Sequence, residues 1–156
     1  MPRPTGKAQV ILCVSNPEVR YREMSRALDI LYRAEPRAYT ALACLISCYI
    51  DALVGGKKAA YLKFLESNFR QLCAALNHAH GKLKGSEVFY KFYRSNMVHN
   101  YFPRSSRFAL AENYELRGKY VAECEADSHT VLALNMDRLY RDVRALLRRR
   151  AARGSA

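Results

Sequence analysis

An arginine and a histidine five positions apart are the residues of this chain best suited to chemistry. Arg94 and His99 form an RxxxxH pattern within residues 89–103. An arginine stays charged at physiological pH and offers a planar set of donors to a phosphate group. A histidine, whose usual pKa is about 6.5, can take up or release a proton near neutral pH. The pair could therefore support proton transfer beside a negatively charged group.

The same two residues also have an ordinary structural interpretation. Arg94 could be an exposed charge on a helix, and His99 a favourable cation near a helix C-terminus, where the backbone dipole is negative. On an ideal α-helix a five-residue step places two side chains about 140° apart around the axis and about 7.5 Å along it. This geometry favours a site shared by two copies of the chain, related by a two-fold axis, in which Arg94 and His99 of each copy surround one cleft.

Three polar residues are candidates for supporting roles. Asp51 is an isolated acid near the end of an apolar stretch, where burial without a partner would be costly. It could orient His99 or pair with Arg94, or it could be a helix cap or an exposed acid. Ser95 and Asn96 follow the arginine directly and are further hydrogen-bonding candidates.

The charge of the chain indicates its class of partner. Among 156 residues, 26 are Lys or Arg and 14 are Asp or Glu, which gives a formal net charge of +12. This field attracts polyanions, above all nucleic acid, although a basic surface that only maintains solubility gives the same totals. The arginines of residues 138–153 could likewise bind a nucleic-acid backbone or form a solvated helix face.

Basic and aromatic residues alternate around the RxxxxH pattern. Lys91, Tyr101 and Arg104 are the candidate RNA contacts, because aromatic rings stack on bases and cations bind phosphates. Packing in the core or in a dimer is the alternative explanation for the aromatic residues of this segment.

Other patterns predict neither a cofactor nor a metal. Gly55 and Gly56 lack the remaining residues of a phosphate loop, so we interpret them as a helix end. His78 and His80 lack neighbours at zinc spacing and are expected to be exposed turn residues. The five cysteines, which contain no CxxC pair, are expected to be reduced and mostly buried. They are Cys13, Cys44, Cys48, Cys73 and Cys124.

Apolar periodicity predicts four helices ahead of residue 105. The first begins at Asn16 as its N-cap, and the second, at the centre of the bundle, covers residues 36–54 from Pro36. A third carries an apolar stripe over residues 62–76. The fourth is capped by Ser86 and ends at Pro103.

The downstream part has a different pattern. Three β-prone runs, at residues 108–114, 120–126 and 130–134, surround turn residues such as Arg117 and Gly118, and they predict a small antiparallel sheet. Asn135 is expected to cap a last helix that buries its apolar face and exposes its arginines. The inward-facing residues are Met136, Leu139, Val143 and Leu146.

These elements predict one domain over residues 1–156. It comprises a four-helix bundle over about residues 17–105, and a small β segment with a C-terminal helix over about residues 106–152. The first residues show no signal-peptide pattern, and the most apolar stretch is shorter than a bilayer needs. We therefore expect a cytoplasmic protein that does not associate with a membrane.

The helical part of the chain, about residues 17–105, resembles the HEPN superfamily. The resemblance depends first on the RxxxxH pattern, which Tyr–Arg begins and Tyr–Phe–Pro follows. It depends also on two upstream helices, one with Ile–Asp–Ala at residues 50–52 and the next with Lys–Phe at residues 63–64. Members of this superfamily are four-helix bundles, and many are metal-independent ribonucleases that work as dimers. Ser95 stands where members often have Asn.

The resemblance implies a metal-independent endoribonuclease that acts as a homodimer, with Arg94 and His99 as its catalytic pair. It also implies a toxin of a toxin–antitoxin or defence system, with a nucleotidyltransferase-like antitoxin as partner. A non-catalytic HEPN-like RNA-binding or dimerisation module is the alternative. A helical interaction protein whose charge serves only solubility is a third interpretation.

Overall fold

Helices dominate the fold. The computed structural model describes residues 16–34, 38–95, 108–112, 115–126 and 129–153. The helices are α1 (Pro17–Tyr32), α2 (Tyr39–Val54), α3 (Lys58–Asn68), α4 (Arg70–Leu76), α5 (Gly85–Val88) and α6 (Met136–Arg153), and a π-helix (Phe89–Arg94) continues α5. The strands are β1 (Phe108–Ala111), β2 (Val121–Ala126) and β3 (His129–Asn135). A mainly helical chain with a small sheet and a C-terminal helix is therefore confirmed.

Helix α1 begins as the sequence predicts. The side chain of Asn16 accepts a hydrogen bond from the backbone N–H of Glu18 at 2.9 Å, and Pro17 occupies the first turn. Met24 and Leu28 are buried. The first helix and its N-cap are confirmed.

Helix α2 starts later than predicted. It begins at Tyr39, because the backbone of Ala38 (φ −90°, ψ 59°) is outside the helical region. Pro36, the predicted first residue, lies outside the described residues. Gly55 ends the helix in the left-handed conformation (φ 72°), which confirms the predicted helix end. The helix buries Leu42, Ala43, Ile46, Ser47 and Ile50.

The predicted third helix is two helices. The backbone of Phe69 (φ −127°, ψ 47°) separates α3 from α4. Phe69 is nevertheless buried and its ring contacts that of Phe64, with the centroids 6.2 Å apart. The apolar stripe therefore continues through the break, because periodicity reports burial and not backbone continuity.

The fourth helix also differs from the prediction at its start. Lys84, not Ser86, is the N-cap, and the hydroxyl of Ser86 donates to Glu66 Oε1 at 2.8 Å. Gly85 opens the helix, and its N–H donates to Asn77 Oδ1 at 2.7 Å. Pro103, the predicted end, is outside the described ranges. The predicted apolar residues Val88, Phe89, Phe92 and Tyr93 are buried.

The sheet is mixed, and the prediction of an antiparallel sheet is wrong for β1. The strand order is β1-β3-β2, with β2 antiparallel to β3 and β1 parallel to it. Turn residues predict pairing between neighbours in sequence, as for β2 and β3. Turn residues cannot predict pairing between strands that are distant in sequence, such as β1 and β3, where Phe108 lies opposite Leu132. The predicted turn at Arg117 and Gly118 is confirmed, with φ of 47° and 78°.

Helix α6 closes the core as predicted. Asn135 accepts from the N–H of Arg138 at 2.9 Å and donates to the carbonyl of Lys119 at 2.8 Å, so the N-cap is confirmed. The predicted inward-facing residues, Met136, Leu139, Val143 and Leu146, are all buried. In the described ranges no single helix has the length and apolarity to cross a membrane, and α2 and α3, which pass that test only together, bend by 107° between them.

The arginines of α6 are not all solvated. Those at positions 141, 148, 149 and 153 are exposed. The other three are half-buried, because Arg138 lies over the ring of Tyr120, Arg144 pairs with Asp29 and Arg150 lies over the ring of Phe64. The predicted solvated arginine face is therefore only partly correct.

Candidate functional site

Arg94 is the last residue of the π-helix and forms an ion pair with Asp51 of α2. Its Nε donates to Asp51 Oδ2 at 2.9 Å, and its Nη2 donates to the same oxygen. The two side chains are 15% and 18% exposed. The predicted pairing of Asp51 with Arg94 is confirmed, whereas an exposed Arg94 and an exposed Asp51 are both wrong.

Two tyrosine rings surround the guanidinium of Arg94. Its Cζ lies 5.0 Å from the ring centroid of Tyr90 and 6.0 Å from that of Tyr61, within the range of cation–π attraction. Tyr90 precedes Arg94 by four positions, a spacing that could have indicated the contact. Tyr61 comes from α3, and no spacing in the sequence indicates its position.

The electrostatics of this cluster keep Arg94 charged and Tyr61 neutral. Burial opposes the charge of Arg94, but the hydrogen bond and negative charge of Asp51 outweigh it and raise the pKa of the guanidinium. Burial, and next the charge of Asp51, raise the pKa of the Tyr61 hydroxyl far above its usual range. Tyr61 is therefore a hydrogen-bond donor at any physiological pH.

Two polar atoms of the cluster remain unsatisfied. The side chain of Ser47 lies beside the hydroxyl of Tyr61, but by hydrogen-bond geometry neither this hydroxyl nor Asp51 Oδ1 has a partner among the described residues, and both atoms are buried. A buried polar group without a partner costs about 1–3 kcal/mol. One atom is an acceptor and the other can donate, so the described part of the cluster leaves one acceptor and one donor unused.

The described residues leave part of Arg94 available for chemistry. Among them, only Asp51 hydrogen-bonds to Arg94, through Nε and Nη2, so within this part of the chain Nη1 retains donors for a phosphate oxygen. Asp51 also fixes the plane of the guanidinium, which reduces the entropy lost when a ligand binds. π-Helical turns occur frequently at functional sites, where they change the direction of a side chain.

The other predicted site residues are not brought into this cluster. Lys91 is exposed, with its Nζ 5.1 Å from the ring of Phe92, and Ser95 is half-buried. His99, Asn96, Tyr101 and Arg104 lie outside the described residues, so their predicted roles remain predictions.

Most of the described aromatic residues in this segment, namely Phe89, Phe92 and Tyr93, belong to the core. Phe92 stacks on Phe108 with centroids 4.4 Å apart, and Tyr93 meets the same ring edge-on at 5.5 Å. The hydroxyl of Tyr93 donates to the carbonyl of Leu132 at 3.1 Å. Packing therefore accounts for these rings, as the alternative to base stacking predicted.

The histidine pair and the cysteines differ partly from prediction. His78 is exposed, but His80 is half-buried because its ring meets Phe92 edge-on at 4.6 Å. The four described cysteines form no disulfide among the described residues: Cys73 is buried, but Cys48 is exposed although it follows an apolar run. Within the described part of the chain, no three His, Cys, Asp or Glu side chains are grouped closely enough to hold a metal ion.

Comparisons with known proteins do not assign the site to a family. No protein-family model matches the chain, and neither the curated proteins nor the solved structures give a significant match. The resemblance to HEPN proteins therefore stays a prediction from the sequence pattern.

Proposed function

We propose that the chain is a metal-independent endoribonuclease of the HEPN type, a four-helix bundle in which Arg94 and His99 act on RNA. The observation that supports this proposal best is the ion pair of Arg94 with Asp51. It holds a permanent cation, with donors to spare, at the end of a π-helix five positions before a histidine. The net charge of +12 supports a polyanionic substrate.

The proposed reaction is transfer of the phosphate within RNA. His99 takes the proton from a ribose 2′-OH or returns one to the leaving 5′ oxygen, and Arg94 stabilises the negative charge that develops on the phosphorus oxygens. The 2′ oxygen bonds to phosphorus as the bond to the 5′ oxygen breaks. Products are a 2′,3′-cyclic phosphate and a 5′-OH, and DNA is not cut because it lacks the attacking hydroxyl.

The proposal includes a homodimer in which two His99 residues divide the roles of base and acid. It also includes a toxin role in the cytoplasm, with a nucleotidyltransferase-like protein as antitoxin. A mixture of Arg94→Ala and His99→Ala chains, refolded together, tests the shared cleft. Partial recovery of cleavage supports it, and no recovery in a proven mixed dimer contradicts it.

The first experiment compares the wild-type chain with His99→Ala on mixed cellular RNA in the presence of EDTA. His129→Ala is the matched control, because His129 is an exposed histidine on β3. We expect new cyclic-phosphate ends from the wild type and the control, and none from His99→Ala. Intact RNA with folded wild-type protein contradicts the proposal.

A non-catalytic RNA-binding module is the second candidate, and one observation favours it. Two N–H groups of Arg94 already bond to Asp51, which partly neutralises a side chain that is only 15% exposed. This candidate predicts RNA binding that weakens steeply with salt, without any cleavage.

A further inference from the structure

A basic cleft lies between α1 and α6 and shares no residue with the Arg94–Asp51 cluster. Its volume is about 370 Å³, and its lining residues are Arg22, Ser25, Arg26 and Asp29 of α1 and Arg144, Arg148 and Ala151 of α6. On α1 they occupy positions i, i+3, i+4 and i+7, and on α6 positions i, i+4 and i+7. Each helix therefore contributes one continuous face.

The cleft follows the axes of two antiparallel helices. Arg144 contacts Asp29 late in α1, whereas Arg150, further along α6, lies beside Tyr21 early in α1. Arg22 and Asp29 are separated by seven positions, about 10 Å at the helical rise of about 1.5 Å. A cleft of this length can contact more than one phosphate of a nucleic-acid strand.

Asp29, the one carboxylate among the described residues that line the cleft, is already neutralised. Asp29 accepts from Arg144 Nε at 2.5 Å and Nη2 at 2.7 Å, and from the hydroxyl of Tyr140 at 2.7 Å. These bonds fix the guanidinium of Arg144, and the described residues leave its Nη1 for a further acceptor. Asp29 therefore orients a cation and does not repel an anion.

The remaining arginines of the cleft are open to a ligand. Arg26 and Arg148 are exposed, and within the described ranges neither has an ion-pair partner. Arg22 pairs with Glu18, but its side chain is 68% exposed, and such surface pairs are weak enough for a phosphate to displace. Guanidinium groups with a nearby hydroxyl, here that of Ser25, are the usual ligands of backbone phosphates.

We propose that the cleft between α1 and α6 binds the sugar–phosphate backbone of the RNA strand, independently of base sequence. The identity of the polymer rests on the proposed function, whereas the phosphate chemistry rests on the four arginines. Binding through phosphates releases counterions, so affinity falls with salt in proportion to the contacts made.

The test measures the affinity of the full chain for a 2′-O-methyl RNA oligonucleotide over a series of KCl concentrations. This probe has the RNA backbone but no free 2′-OH, so binding is measured without cleavage. We expect Arg26→Ala/Arg148→Ala to weaken binding roughly tenfold and to lower the log–log salt slope by about 1.4, because each lost contact on a single strand contributes about 0.7.

A second double variant removes the same charge from another face of α6. Arg149 and Arg153 are exposed and, at about 100° per residue, lie roughly 140–180° around the axis from Arg144. We expect Arg149→Ala/Arg153→Ala to reduce affinity much less. Equal losses in the two double variants, or none in either, would overturn the proposal, provided that thermal unfolding shows both to be folded.

Two further results separate this proposal from the nuclease. Probe binding that depends on Arg26 and Arg148, in a wild-type chain that cleaves no RNA, supports the cleft and contradicts the nuclease. Cleavage with an unchanged KM in the Arg26→Ala/Arg148→Ala variant contradicts the cleft alone. Binding of phosphatidylserine vesicles through these arginines, without binding of the RNA probe, also overturns the cleft as an RNA site.

Discussion

Arg94 and Asp51 are 43 positions apart in the chain, yet Arg94 Nε donates to Asp51 Oδ2 at 2.9 Å. The bond connects the end of the π-helix to α2, the helix that buries its apolar residues at the centre of the fold. Since both side chains are less than one-fifth exposed, the position of the proposed catalytic arginine is coupled to the packing of the bundle.

This coupling predicts a large asymmetry between single and double substitutions. Asp51→Ala leaves the guanidinium without its partner and should lower the free energy of unfolding by about 3 kcal/mol, the lower end for broken buried pairs. The double variant Asp51→Ala/Arg94→Ala should lose less than the sum of the single losses. Urea unfolding gives the free energy of unfolding of Asp51→Ala, Arg94→Ala and the double variant. The exposed pair of Glu18 and Arg22 is the control, where Arg22→Ala should cost less than about 0.5 kcal/mol.

Tyr61 provides a prediction that separates function from stability. Among the described residues its buried hydroxyl has no hydrogen-bond partner, so Tyr61→Phe should not lower the free energy of unfolding and can raise it by up to about 1–3 kcal/mol, the cost of an unsatisfied buried hydroxyl. If that hydroxyl binds the substrate or positions a catalytic group, the cleavage rate falls without any loss of stability. Tyr93→Phe is the matched control, because it removes a hydroxyl that bonds to Leu132 and should cost about 1 kcal/mol. A loss of stability in Tyr61→Phe as large as in Tyr93→Phe would contradict the prediction.

Local rules predicted three helix ends and missed the starts of α2 and α5. Asn16, Gly55 and Asn135 each act through backbone groups only a few positions away, so their roles follow from residue type and spacing. The break at Phe69 did not follow, because the apolar stripe is unchanged across it. The parallel pairing of β1 with β3 did not follow either, because it joins strands that are not neighbours in sequence.

The candidate site was predictable only in part. An isolated acid in an apolar helix needs a partner, which made Arg94 a reasonable choice for Asp51. The π-helix was not predicted, since one extra residue in a turn does not alter the apolar pattern enough to show. Tyr61 reaches the cluster through the tertiary arrangement of α3, which depends on the whole core and not on any local motif.

Gly85 controls the approach of α5 to α4. A Cβ at this position would lie 1.8 Å from the carbonyl oxygen of Cys73, so the two backbones must separate to accept a side chain. Gly85→Ala should therefore cost more than about 3 kcal/mol and disturb the π-helix that carries Arg94. Gly118→Ala is the control: its φ is +78° but nothing lies within 4 Å, so only the backbone strain of about 1–2 kcal/mol applies. Equal midpoints of thermal unfolding for the two variants would contradict the prediction.

Asp29 should make the stability of the α1–α6 pair sensitive to acid. The hydrogen bond from Arg144, which outweighs the opposing effect of burial, lowers the pKa of the Asp29 carboxyl below its usual 3.8. A carboxyl whose pKa is lower in the folded state stabilises the fold above the unfolded pKa, and this contribution is lost as the pH falls from about 4 through the folded pKa.

The measurement is the free energy of unfolding of the wild type, Asp29→Asn and Arg144→Gln as the pH is lowered from 7 to about 2.5. We expect the advantage of the wild type over Asp29→Asn to be constant near neutral pH and to shrink below about pH 4, because protonation removes the charge that the variant lacks. In Arg144→Gln the main cause of the lowered pKa is absent, so the contribution of Asp29 should change little over the same range. A difference between wild type and Asp29→Asn that stays constant down to the lowest pH would contradict an ion pair that stabilises the contact between α1 and α6.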